Sequence, residues 1–203
     1  EGISFLEAAG GRIVTAGFMQ GIFVWDLEGS LSYRIPTRAT FPSGIIISSD
    51  GTVFANLIGS EVFVWNLVTG ALCGSVMAEG QVFGAALLMP GRVAIFTESA
   101  GAIWEIDTGN LVHRLNGGFA RETHHVAVSE GGSILAACGH RIGAPIWTKV
   151  WNAETGALLH ITGESEPVAP YRLGASVSAC RVVVDAAGSI SHWFAQTEPL
   201  PVT

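Results

Sequence analysis

The residues of this chain with the greatest capacity for chemistry are six histidines, His113, His124, His125, His140, His160 and His192, and three cysteines, Cys73, Cys138 and Cys180. His124 and His125 are adjacent in an apolar, extended-looking run. Adjacent residues of a strand point to opposite faces, so the two cannot share a metal ion. Cys138 and His140 stand two apart and share a strand face, but a tetrahedral site needs further ligands and none stands at a matching spacing. No Cys-x-x-Cys or His-x-x-x-His pattern occurs. Nucleophile and phosphate signatures are missing too: there is no Gly-x-Ser-x-Gly elbow and no Gly-x-x-x-x-Gly-Lys loop. The 17 acidic residues are scattered, and no two stand out as an acid–base couple. These observations assign no catalytic residue, no metal ligand and no cofactor, and the histidines read as structural or solvated.

The bulk composition narrows the partners. Charged residues make up 13% of the 203 positions, about half the roughly 25% usual in soluble domains. Much of the surface is therefore expected to lie against neighbouring structure or partners. A formal net charge of −7 at pH 7 opposes general attraction to nucleic acid or anionic membrane. Direct nucleic-acid contact is not expected. No signal peptide is visible, and no apolar stretch is long enough to span a bilayer, so no membrane insertion is expected. Three cysteines without close pairing make a poor disulfide framework; they read as reduced, buried thiols, which favours a cytoplasmic or nuclear setting.

Organisation comes from a phrase written four times: "GIFVWDLEGSL" (21–31), "EVFVWNLVTGAL" (61–72), "GAIWEIDTGNL" (101–111) and "TKVWNAETGALL" (148–159). The Trp-to-Trp intervals are 65 − 25 = 40, 104 − 65 = 39 and 151 − 104 = 47, and a worn fifth copy at Trp193 follows after 193 − 151 = 42. A period of about 40–45 residues is that of four-stranded propeller blades. Within one period, "GIIIS", "TVFANLI", "VFVWNL" and "ALCGSV" are four short runs rich in β-branched and aromatic residues. Gly, Ser and Asp turns separate them, with Asp-Gly at 50–51 suited to a tight hairpin. The runs are apolar almost throughout, as expected of strands buried on both faces. A single blade cannot bury both faces of its sheet, whereas stacked copies bury each other's. The Trp at the end of the third run suits the space between adjacent sheets.

The "VWD" at 24–26, the "VWN" at 64–66 and 150–152, the "TG" at 69–70, 108–109 and 155–156, and the "SSDG" at 48–51 resemble WD40 repeats. The resemblance covers essentially the whole chain as repeats at about 1–40, 41–79, 80–119, 120–166 and 167–203. It implies an all-β fold, a β-propeller of WD40-like four-stranded blades in one domain. The Gly-His pair common in that family is missing before the first strand of each repeat, so packing is expected to rest on apolar contact more than on polar ties. Members of the family usually close with seven blades. Five visible repeats are expected to be part of a larger propeller, with a five-bladed ring and an open ring completed by another chain as alternatives.

The resemblance further implies a non-enzymatic scaffold that mediates protein–protein contacts with peptides or other subunits of a complex. Alternatives are an enzyme using the central channel and an RNA-associated scaffold of the ribosome-assembly type. In the family, the loops entering the first strand and joining the second to the third share one face, often the recognition face. Those loops here supply the partner-binding candidates: Arg38 and Phe41 in "IPTRATFPS", Phe119 and Arg121 in "NGGFARET", and His140, Arg141 and Trp147 in the long "GHRIGAPIW" segment. Aromatic and Arg side chains are enriched at binding hot spots. Trp147 has a second possible place, packed in the sheet as the start of a strand.

Overall fold

A computed structural model describes residues 3–17, 21–35, 44–48, 50–88, 91–116, 123–129, 132–139, 147–162, 177–184 and 190–196. The first sheet comprises β1 (Ile3–Ala9), β2 (Arg12–Gly17), β3 (Gly21–Asp26) and β4 (Leu31–Ile35). The second comprises β5 (Gly44–Ile47), β6 (Val53–Ile58), β7 (Glu61–Asn66) and β8 (Leu72–Met77). The third comprises β9 (Val82–Leu88), β10 (Arg92–Thr97), β11 (Gly101–Glu105) and β12 (Leu111–Leu115). The fourth comprises β13 (Thr123–Val128), β14 (Ile134–Gly139), β15 (Trp147–Asn152) and β16 (Leu158–Thr162). A further pair, β17 (Val177–Val184) and β18 (Ile190–Gln196), follows the same order. Every sheet is an antiparallel meander, and the described residues contain no helix. The fold is all-β and propeller-like.

Each sheet has a Trp face and a reverse face, set by its register. In the first sheet, Leu6 pairs with Thr15 and Thr15 with Phe23 on the Trp face, while Glu7, Val14 and Val24 share the reverse face. The reverse face of one sheet packs on the Trp face of the next. Val14, Ala16, Ile22, Val24 and Ile35 of the first sheet meet Ile45, Phe54 and Leu67 of the second. Ala55, Leu57, Val62, Val64 and Val76 of the second meet Ala85, Leu87, Val93, Ile95 and Ile106 of the third. Ala86, Ala94, Phe96, Ile103 and Leu115 of the third meet Leu135, Ala137, Trp147 and Trp151 of the fourth. The near-continuous hydrophobicity of the strands is thus accounted for by burial on two sides.

The turn after each Trp is built by the residues that the repeated phrase keeps. The Asn66 Oδ1 accepts from the Val68 and Thr69 amides at 2.9 and 2.8 Å, and Asn152 does the same for Glu154 and Thr155 at 3.0 and 2.9 Å. The turn ends on Gly70 and Gly156, at φ 71° and 70°. A Cβ on Gly70 would sit 3.0 Å from the Tyr33 ring, and one on Gly156 2.8 Å from His113 Cβ. The Thr-Gly therefore serves two ends: it allows the left-handed backbone and it admits a side chain from the preceding sheet. Tyr33 uses that space to donate to the Leu67 carbonyl at 2.6 Å, and burial raises its phenol pKa. His113 Nε2 stands 2.6 Å from the Glu154 carbonyl. A register shift falls beside the Trp in all four sheets, between Val24 and Trp25, Val64 and Trp65, Ile103 and Trp104, and Val150 and Trp151.

Polar ties stand beside the apolar packing, several of them made by the Trp side chains. Trp25 donates to Thr15 Oγ1 at 2.9 Å and Trp65 to Asn56 Oδ1 at 2.7 Å. In the fourth sheet the corresponding position of β14 is Ala137, which has no side-chain acceptor, and Trp151 donates instead to the Asn116 carbonyl at 2.8 Å. The cysteine expectation is corrected. Cys73 is exposed and free, whereas Cys138 is buried and disulfide-bonded. Sequence spacing could not anticipate this, because β14, which carries Cys138, is brought against β17 by the stacking of sheets. The thiol argument for a cytoplasmic or nuclear setting loses its ground.

In the "SSDG" turn, Ser48 donates to Asp50 Oδ1 at 2.6 Å, and the Thr52 amide and hydroxyl reach the same carboxylate. The Ser48 bond, followed by those from Thr52, holds the Asp50 pKa below its usual range. A depressed pKa stabilises the fold above the ordinary aspartate range, and that stability is lost as the pH falls through the folded value. Asp50→Asn should therefore melt about 1–2 °C below the parent at neutral pH, the small size reflecting its exposure. The gap should close in strong acid, and circular-dichroism melts of both proteins at the two pH values check this.

Candidate functional site

Six of the seven partner-binding candidates, Arg38, Phe41, Phe119, Arg121, His140 and Arg141, lie outside the described residues. Trp147 is described. It opens β15 and is buried between the third and fourth sheets. Its ring packs rather than projects, the second of the two placements open from sequence. Lys149, on the same face, is also buried, and its Nζ lies 5.0 Å from the Trp147 ring centroid. A cation over an aromatic face is favourable when desolvated. The register puts Lys149 where the first two sheets carry Phe23 and Phe63, which explains how its aliphatic stem fits an apolar layer.

Two of the histidines, His113 and His160, stand on different outer strands, β12 and β16. His113 is committed to the Glu154 carbonyl, and His160 is exposed on β16. A disulfide sulfur cannot serve as a thiolate ligand, so Cys138 drops out of the metal pair weighed with His140. Among the described residues, no group of three or more His, Cys, Asp and Glu is placed to hold a metal ion. Also among them, no helix is long and apolar enough to cross a membrane.

Among the described residues, clefts open between the sheets. One, of about 500 Å³, lies between the second and third, lined in part by Thr52, Cys73, Arg92, Glu105 and Asp107. Another, of about 310 Å³, lies between the first and second beside Tyr33, Arg34, Trp65 and Gly70. Arg34 also covers Phe23, with its guanidinium carbon 5.3 Å from the ring centroid. Arg114 of β12 reaches back to the Glu79 carboxylate at 2.8 Å; the ion pair is exposed, and by hydrogen bond and charge it lowers the Glu79 pKa and raises that of Arg114.

The outer strands β4, β8 and β12 carry a feature that the sequence reading did not single out. Leu31, Leu72 and Leu111 hold one register position, each paired with the Trp region of the strand inside it. All three are exposed, on strands that form the edges of their sheets. The signal was present in the repeated phrase: a leucine follows the Trp by 31 − 25 = 6, 72 − 65 = 7 and 111 − 104 = 7 residues. An apolar residue in a strand is expected to face inward, and only the structure places this one on the rim.

No family model and no curated protein matches the chain. Its fold does match solved structures. It is similar to the computationally designed Ika8 protein, with a TM-score of 0.67 and 18% identity over 95% of this chain and 58% of that one. It is also similar to hydrazine synthase from Kuenenia stuttgartiensis, with a TM-score of 0.69 and 13% identity over 90% of this chain and 53% of that one. The chain thus spans a little over half the length of each. At these identities the likeness is one of fold.

Proposed function

We propose that these sheets belong to a WD40-like β-propeller with more blades than the repeats present here, and that it acts as a non-enzymatic scaffold for other protein subunits. The observation that carries the reading is the row of exposed leucines, Leu31, Leu72 and Leu111, repeated along the outer edge strands. The same apolar residue, held in register on three blades, offers a partner a repeated anchor, and the equivalent Leu158 of the fourth sheet turns half into the core. Edge strands add free backbone groups beside it, the groups by which strands recruit further chains. The stacked sheets hold the row rigid, so binding does not require ordering a loop.

The test is a triple variant, Leu31→Ser, Leu72→Ser and Leu111→Ser. These positions are exposed, so each change is expected to alter stability by no more than about 0.5 kcal/mol. After cross-linking in the native cells, the parent chain should carry a stoichiometric protein subunit, and the triple variant should recover at least about tenfold less of it, the loss that ~1.4 kcal/mol of contact represents. Equal recovery by parent and variant would remove the rim from the interface.

A further inference from the structure

The first sheet presents a Trp face whose counterparts in the next three sheets each pack on the sheet before them. The residue two beyond the Trp shows this. Leu67, Ile106 and Ala153 are 0%, 6% and 4% exposed, each packed beneath the preceding sheet, whereas Leu27 is 65% exposed. The register position of Leu6 agrees. Ile45 and Ala85 there are both 5% exposed, and Leu6 is 61% exposed. Between these two leucines, Phe23 and Trp25 stack with ring centroids 6.0 Å apart, both half-buried. Among the described residues, this inter-blade half-interface has no sheet as its other half.

We propose that this Trp face seats the reverse face of a further four-stranded blade of the same repeat type, carried by the same polypeptide beyond these 203 residues. The inference rests on the propeller reading above and identifies the surface through which the array continues. The interface is used three times within the chain, and its rules define the occupant. The incoming blade must offer small and branched apolar residues from its second and third strands, as Val14, Ala55 and Ala94 do. Its outer strand must bring either a ring that hydrogen-bonds a carbonyl in the turn, as Tyr33 and His113 do, or a glycine, as at Gly74. That residue would meet the turn at Leu27 and Glu28. The two structurally similar chains are longer than this one, which covers 58% and 53% of them, so both have length for further sheets.

The probe is a copy of the chain's own second blade, residues 44–81, joined ahead of Ile3. Thiol labelling is read in a Cys73→Ser background, since Cys73 is exposed and free. Leu27→Cys should label rapidly in the 203-residue chain and at least about tenfold more slowly once the extra blade is present, as expected when a thiol becomes reachable only through local opening. Leu31→Cys should label rapidly in both, because its counterparts Leu72 and Leu111 stay exposed in blades that have a neighbour. Leu67→Cys should label slowly in both and so reports that the existing interface has formed. Unchanged labelling at Leu27→Cys in the extended protein would overturn the proposal. So would slow labelling in the 203-residue chain at twice its mass of 21.2 kDa, since a second copy would then be the occupant. Rapid labelling at Leu67→Cys would overturn it as well, by removing the interface from which the occupant is inferred. None of the outcomes that overturn the proposal is read at the rim, where Leu31→Cys serves only as a control, so the rim reading fails or stands by its own test.

Discussion

Trp151→Ala is expected to lower the unfolding free energy by about 3–5 kcal/mol. The side chain is fully buried between the third and fourth sheets, with its ring 5.7 Å from Phe96 and its indole nitrogen 2.8 Å from the Asn116 carbonyl. Truncation would leave a cavity the size of the indole, and backbone strands on either side restrict collapse. The loss is a large share of the roughly 5–15 kcal/mol that holds a domain together. Urea unfolding followed by far-ultraviolet circular dichroism measures it. Trp25→Ala is the matched comparison. It occupies the same repeat position on the open face of the first sheet, where the ring is half-buried. Its loss should cost only about 1–2 kcal/mol, from the Phe23 stacking and the Thr15 hydrogen bond. Equal losses at the two positions would mean that inter-sheet burial is not the source of the Trp contribution.

Gly74→Ala is expected to cost about 3 kcal/mol, the upper end for overpacking. The backbone at Gly74 is not in the left-handed region, so conformational strain has no part in it. A Cβ there would stand 2.0 Å from the Ile106 carbonyl oxygen and 2.9 Å from its carbon. No rotamer change relieves a clash with backbone, so the second and third sheets must separate locally. Gly29→Ala provides the contrast. Its φ is 84°, yet nothing lies within 4 Å of the added methyl, and its cost should stay near 1–2 kcal/mol of backbone strain. Hydrogen exchange should show faster opening of β8 and β11 in Gly74→Ala alone.

The strand plan was legible because each strand announces itself locally. The runs "GIIIS" and "TVFANLI" of the second repeat hold β5 and β6 within a residue at each end. Turns were legible for the same reason, since Asn66, Thr69 and Gly70 build theirs with their own atoms. What escaped was set by neighbours distant in sequence. Leu27, Leu67, Ile106 and Ala153 are all apolar at one repeat position, and nothing in the residues themselves says that one of them is open. The Cys138 disulfide depends on the meeting of β14 with β17. Lys149 escaped because a lysine in a strand ordinarily marks a solvent face, and only the register puts it in a row with Phe23 and Phe63. Of the candidate site, Trp147 offered two roles from sequence, and its burial at the start of β15 selects the packed one.

The contacts of Tyr33 and His113 with the next sheet end on main-chain carbonyls. Such a bond asks nothing of the side chain of the residue that accepts it, whereas the glycines beside it, Gly70 and Gly156, must stay bare to admit the ring. The accepting residue is therefore free to be apolar, as Leu67 is, or charged, as Glu154 is, without loss of the bond. The two turns that receive such a ring, "VWNLVTG" and "VWNAETG", differ at the accepting positions and keep the Asn and the Gly, so the seam holds its partners by the shape of the turn.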